Sequence, residues 1–172
     1  MRLVYLGLGS NEGNRLHNLL VGARLISRRY DILAISSLYL SRSWGFKSRD
    51  FLNGVLLVRV MDNPFVVLSY LKWVEGVMGR EPTSGGGYSD RPFDADILLW
   101  EGLTLRSPDL IIPHPRMRER DFVNVPLAEL ISRGYPSLGY TPTTGEGLRR
   151  VVSYEALRLT VPAPSPSFHP SV

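Results

Sequence analysis

The sequence predicts an α+β fold, an antiparallel sheet with helices packed on it. Three observations lead there. The 172 residues amount to about one domain, and with 44% apolar and 21% charged residues the chain can close a hydrophobic core unaided. Strand-like and helix-like apolar runs follow one another with short breaks. No repeat and no linker divides the chain, so one domain over residues 1–160 with a tail at 161–172 is expected.

Residues 2–9 (RLVYLGLG) read as a first strand ended by Gly9-Ser10-Asn11. Residues 14–28 place Leu16, Leu19, Leu20, Ala23 and Ile26 at helical spacing. Residues 30–41 alternate and are partly β-branched, which predicts a second strand, and 51–61 (FLNGVLLVRVM) predict a third. A helix starts at Asn63-Pro64, where a missing amide hydrogen costs nothing, and stops at Gly79. The breaker cluster 81–90 (EPTSGGGYSD) predicts a mobile loop, and 93–100 (FDADILLW) a strand. A short helix is expected at 122–132 and an amphipathic one at 145–158, before a tail with four prolines. The order strand, helix, strand, strand, helix, strand is the ferredoxin-like arrangement, with helices on one face and further elements at the C-terminal end.

Composition excludes several classes. With 0 cysteines the chain has no disulfide framework, thiolate metal site or thiol nucleophile. No apolar run approaches the ~18 residues of a membrane span, and no cleavable leader precedes the first strand, so a cytoplasmic location is expected. The net charge of +4 is spread along the chain, which argues against a nucleic-acid footprint. Only two of the 20 basic residues, Lys47 and Lys72, are lysines, a bias that suits phosphate contacts or reflects coding preference.

The residues with chemical potential converge on one strand. Asp94 and Asp96 alternate on it and so share a face, roughly 7 Å apart. Two such carboxylates repel unless a cation joins them, and Mg²⁺ with substrate phosphates would do so; two separately solvated acids are the alternative. Arg80 and Arg91 bracket the glycine-rich loop, as phosphate clamps or as ordinary surface arginines. His114, stiffened between Pro113 and Pro115, stands near Arg116, Arg118 and Arg120 and suits a phosphate or ribose contact as well as a structural role. Phe51, Asn53 and Phe122 suit a sandwich for a flat heterocycle, or plain core packing. No P-loop, dinucleotide fingerprint or nucleophile elbow is present. From these residues alone the reading stops at a domain that binds Mg²⁺ and a polyphosphate.

Six blocks carry a resemblance: YLGLGSNEGNR (5–15), SSLYLSRSWG (36–45), FLNGVLLV (51–58), EGVMGR (75–80), RPFDADILLW (91–100) and IPHPRMRERDFVNVPLAEL (112–130). In this order the chain closely resembles the 6-hydroxymethyl-7,8-dihydropterin pyrophosphokinases of folate biosynthesis, from about residue 3 to 150. The resemblance implies pyrophosphoryl transfer from ATP to the pterin hydroxymethyl oxygen, release of AMP, and two Mg²⁺ ions. It implies metal binding at Asp94 and Asp96, which with Arg80 and Arg91 form the catalytic set. ATP contacts are implied for Glu75, Arg80, Arg91, Ile97, His114 and Arg120. Pterin contacts are implied for Ser41, Arg42, Trp44, Phe51, Asn53, Tyr88, Asp94 and Phe122. The expected partners are these two small molecules, with neither nucleic acid nor membrane, and a monomer is the simplest oligomeric reading.

Departures from the family pattern are visible. Glu81-Pro82 replace a second basic residue after Arg80, Ser89-Asp90 replace Gly-Pro before Arg91, no proline stands in 41–45, and Ala95 is small. They bear on loop closure and rate more than on the reaction. Competing readings are another Mg²⁺-dependent transferase on the same scaffold, an inactive paralogue, and an RNA-binding module. The acids of FDADILLW oppose the last of these.

Overall fold

The computed structural model describes residues 1–43, 48–80, 89–143, 145 and 148–157. The expected tail at 161–172 and most of the expected mobile loop therefore lie outside the described residues. Strand β1 (Arg2–Ser10) leads into α1 (Arg15–Ser27), β2 (Asp31–Ile35), β3 (Leu38–Ser41), β4 (Phe51–Val60) and α2 (Pro64–Val77). Then come β5 (Asp94–Trp100), the short pair β6 (Leu105–Arg106) and β7 (Ile111–Ile112), and a single 3₁₀ turn over Met117–Glu119. Helix α3 (Asp121–Ser132), β8 (Arg149–Val152) and α4 (Tyr154–Leu157) complete it. The main sheet runs β5-β1-β4-β3-β8, with β2 also on β4, and its ladders are antiparallel.

Local chemistry explains the helix ends. The Asn14 side chain caps α1 by accepting from the His17 N–H, and Asn63 caps α2 by accepting from Phe65 and Val66. Pro64 opens α2 as expected. Gly79, at φ +93°, reverses the chain after it, and the next amide, Arg80, donates back to Glu75 O at 3.0 Å.

Side-chain alternation along β1 builds two cores. Val4, Leu6 and Leu8 pack under α1 and α2 with Leu56, Val58 and Ile97. Tyr5, Val55 and Leu57 face the other way and meet Val123, Leu127 and Leu130 of α3. The sheet is thus covered on both faces, where one helical face was expected. A bulge in β5 lets Tyr5 pair with Leu99 while Leu6 pairs with Ile97, so Leu98 and Leu99 both reach the α3 side.

Two sequence expectations change. The single strand over 30–41 breaks at Ser36-Ser37, both fully buried. The Ser36 hydroxyl accepts from Val55 N–H, and the Ser37 N–H donates to the Glu129 carboxylate of α3. Within the helix expected over 145–158, the residues Arg149–Val152 form a strand. Arg149, Arg150 and Val152 pair with Leu40, Tyr39 and Leu38, so β8 satisfies the β3 edge, and only Tyr154–Leu157 turn helical. Edge pairing overrides a helical spacing that lacks a cap.

Candidate functional site

A cleft of about 250 Å³ opens on the α3 side of the sheet, where the C-terminal half of β1 carries glycine at alternate positions. A Cβ on Gly7 would stand 3.3 Å from Leu98, and one on Gly9 3.4 Å from Asn53 Oδ1 and 3.5 Å from the Phe51 ring. The bare floor is the space a ligand needs.

One wall is charged. Asp94 and Asp96 line it together, as their spacing on β5 requires. Asp94 Oδ1 accepts from Arg80 Nη1 at 2.8 Å and from Arg91 Nη1 at 3.1 Å. Asp96 lacks such compensation. Burial first, and the Asp94 charge second, push its carboxyl above the usual range, despite opposing fields from Lys72 and Arg120. A divalent cation would relieve that strain, and two carboxylates open toward substrate phosphates are a donor set that Mg²⁺ uses.

Beneath this wall lies Glu75 of α2, 2% exposed. Its carboxylate accepts from Ala95 N–H at 2.9 Å and Arg80 Nη1 at 2.6 Å, and pairs with Lys72 Nζ at 3.1 Å. One buried acid thus locks α2 to β5 and aims two cations at the cleft.

The opposite wall holds aromatic and amide groups. Phe51 and Phe122 both line the cleft, as do Ser41 and Arg42. Asn53 Nδ2 is occupied by Ser41 Oγ at 2.8 Å and by the carbonyls of Tyr39 and Phe51 at 3.3 Å. That leaves Asn53 Oδ1 to present an acceptor over Gly9. The Arg120 guanidinium lies 5.4 Å from the Phe122 ring centre, and its Nε is buried without a partner among the described residues.

His114 follows the cis Ile112-Pro113 bond, and its N–H donates to Leu98 O at 2.9 Å. Nδ1 accepts from Arg116 N–H at 3.2 Å, so the neutral ring carries its proton on Nε2. Burial, reinforced by the Arg120 and Arg116 charges, lowers its pKa to about 4.

The family of 7,8-dihydro-6-hydroxymethylpterin-pyrophosphokinases matches residues 5–132. The chain belongs to this family. A 2-amino-4-hydroxy-6-hydroxymethyldihydropteridine pyrophosphokinase of Porphyromonas gingivalis is 43% identical over 135 residues, 76% of this chain and 91% of that protein. One from Bacillus subtilis is 33% identical over 150 residues, 86% of this chain and 89% of that protein. A solved HPPK-DHPS structure in complex with substrates aligns over 90% of this chain at TM-score 0.57 and 15% identity. This chain spans 42% of that longer protein, and the likeness shows the shared fold.

As a member of the pyrophosphokinase family, the chain can be read residue by residue against its expected site. Arg80, Arg91, Asp94, Asp96, His114, Arg120, Ser41, Arg42, Phe51, Asn53 and Phe122 are brought together in the cleft. Trp44 and Tyr88 lie outside the described residues. Glu75 sits beneath the wall rather than on it. Ile97, 2% exposed, packs its side chain into the core under α1 and α2. Sequence reasoning missed Gly7 and Gly9, although glycine at i and i+2 of a strand signals a bare face. It also missed Lys72, which lines the cleft from α2, because nothing local distinguishes that lysine.

Proposed function

We infer that this pyrophosphokinase transfers the diphosphate of ATP to the hydroxymethyl oxygen of 6-hydroxymethyl-7,8-dihydropterin, in folate biosynthesis. The observation that carries this is one cleft with a carboxylate–arginine wall facing an aromatic–amide wall. The pterin ring stacks between Phe51 and Phe122, with Asn53 Oδ1 accepting from its N–H edge and Ser41 and Arg42 around it. ATP lies along the charged wall. Arg80, Arg91 and Arg120 hold its phosphates, His114 donates from Nε2, and Ile97 and Glu75 support the nucleotide side.

Asp94 and Asp96 hold two Mg²⁺ in this reading, and the ions supply neutralisation of phosphate charge when bound. The hydroxymethyl oxygen bonds to the β-phosphorus as the bond from that phosphorus to the α–β bridging oxygen breaks. AMP departs with the bridging oxygen, and the hydroxyl proton passes to solvent. The walls contribute alignment of the oxygen with the phosphorus and charge stabilisation by the arginines. Among the described residues no helix is long and apolar enough to cross a membrane. A cytoplasmic location, where ATP is available, and a monomeric state belong to the same reading.

Incubation with ATP, Mg²⁺ and 6-hydroxymethyl-7,8-dihydropterin should release AMP in step with pterin diphosphate. Release of ADP, or no turnover, overturns the reading.

A further inference from the structure

Asp90 stands one residue before Arg91 and outside the groups assigned above. Its Oδ1 accepts from Asn11 Nδ2 at 2.7 Å and also from the Ser48 hydroxyl. Asn11, fully buried at the end of β1, uses its remaining groups on Arg91. Asn11 Oδ1 accepts from Arg91 N–H at 2.8 Å, and Asn11 N–H donates to Arg91 O at 3.2 Å. Ser48, on the connection from β3 to β4, donates its N–H to Ser43 Oγ at 3.1 Å. The result is an unbroken run Ser43, Ser48, Asp90, Asn11, Arg91, Asp94.

One end of this run begins two residues after Ser41, the partner of Asn53 on the aromatic wall. The other end is the arginine that holds Asp94 on the charged wall. These walls belong to strands that β1 joins through its backbone ladders, while its cleft-facing Gly7 and Gly9 offer no side chain to fix one wall against the other. A carboxylate suits the junction, because one charged oxygen holds two donors and strengthens both bonds.

We propose that Asp90 is a positioning residue that ties the aromatic wall to the charged wall, so that the acceptor hydroxyl is held in line with the phosphate. The proposal rests on the pyrophosphokinase reading of the cleft. A misplacement of about 1 Å between reacting groups is enough to slow such a transfer severely.

The test compares Asp90→Ala, Asp90→Asn, Ser48→Ala and the double variant Asp90→Ala/Ser48→Ala in the full chain. Kinetics are measured with each substrate varied, and pterin binding is measured separately by calorimetry. Each lost hydrogen bond is expected to cost roughly 3- to 10-fold. Asp90→Ala should raise the pterin KM and lower kcat, since Arg91 also loosens. Ser48→Ala should raise the pterin KM alone, with the ATP KM within about twofold of the wild-type value. Asp90→Asn, which keeps Oδ1, should recover most of the loss. The double variant should bind pterin no worse than Asp90→Ala, because both substitutions cut one connection.

An unchanged pterin KM in Asp90→Ala, additive losses in the double variant, or Asp90→Asn as impaired as Asp90→Ala would each overturn the proposal. If Asp90→Ala does not fold, the KM-only effect of Ser48→Ala and near-normal Asp90→Asn kinetics decide it in the same way. Wild-type AMP release is measured first. Its absence sinks the pyrophosphokinase reading, whereas pterin binding by the variants still reports on Asp90.

Discussion

Asp94 and Asp96 are two residues apart on one strand face, yet their electrostatic situations are opposite. Arg80 and Arg91 already compensate Asp94, whereas Asp96 faces burial and a like charge. Substituting Asp96 therefore relieves burial and repulsion without breaking an ion pair, whereas substituting Asp94 relieves the repulsion but strips two arginines of their acceptor. Asp96→Asn should retain or gain thermal stability while losing turnover at least about 100-fold, the scale of several kcal/mol of charge stabilisation. Asp94→Ala should lose stability by about 1–3 kcal/mol as well, because two arginines lose a shared acceptor. Thermal melts alongside kinetics separate the two cases, and near-normal turnover of Asp96→Asn at saturating Mg²⁺ contradicts the metal role. Phe122→Ala should weaken pterin binding about tenfold or more by calorimetry. ATP should lose only about threefold, from the Arg120 cation stacked on that ring, and equal losses for both ligands refute the assignment. His114, with its pKa lowered to about 4, stays neutral in the folded protein where the unfolded chain already takes up a proton. Its contribution to stability is therefore absent above about pH 6.5, becomes unfavourable as pH falls toward 4, and levels off below that. An NMR titration of the His114 ring should show a midpoint near 4, and one near 6.5 contradicts this environment.

At the scale of elements, single buried contacts join secondary structures that sequence patterns treat as independent. Glu75 is the clearest. Its place three residues from Lys72 and five from Arg80 is visible in the sequence, but its acceptance from the Ala95 amide spans α2 to β5. Glu75→Ala orphans that buried amide and should cost about 1–3 kcal/mol, with a fall in turnover as Arg80 drifts. Glu75→Gln, which keeps an acceptor for Ala95, should keep most of the stability and lose turnover. A fully active Glu75→Ala enzyme would show that Arg80 is held by other means. Packing at Gly22 behaves similarly, since a Cβ there would stand 2.2 Å from the fully buried Phe93 ring just before β5. Helices α1 and α2 were legible because apolar spacing, Asn caps and Pro64 agree. Strand β8 was not, because its conformation comes from the unpaired edge of β3, which is remote in sequence. The break at Ser36-Ser37 was hidden for a like reason, as Glu129 of α3 supplies the acceptor that makes it affordable.

Across the whole molecule, stability should fall from the centre of the sheet outward. Strands β1 and β4 are buried on both faces, and each has partners on either side. Strand β8 is short and largely exposed at the edge. Native-state hydrogen exchange should show the β1 and β4 amides opening only with global unfolding, and the β8 amides opening locally. Equal protection of β8 and β1 would contradict this order. The sequence by itself determined the fold class, most helix and strand cores, the family and most of the cleft's side chains, because periodicity, caps and ordered motifs are properties of neighbouring residues. Only the tertiary structure decided that α3 covers the second face, that 149–152 pairs as a strand, that Glu75 and Ile97 lie behind the cleft, and that Asp94 is neutralised while Asp96 is not. Those outcomes depend on which distant groups share one small volume. Burial, electric field and hydrogen-bond competition act through space, and no local pattern records them.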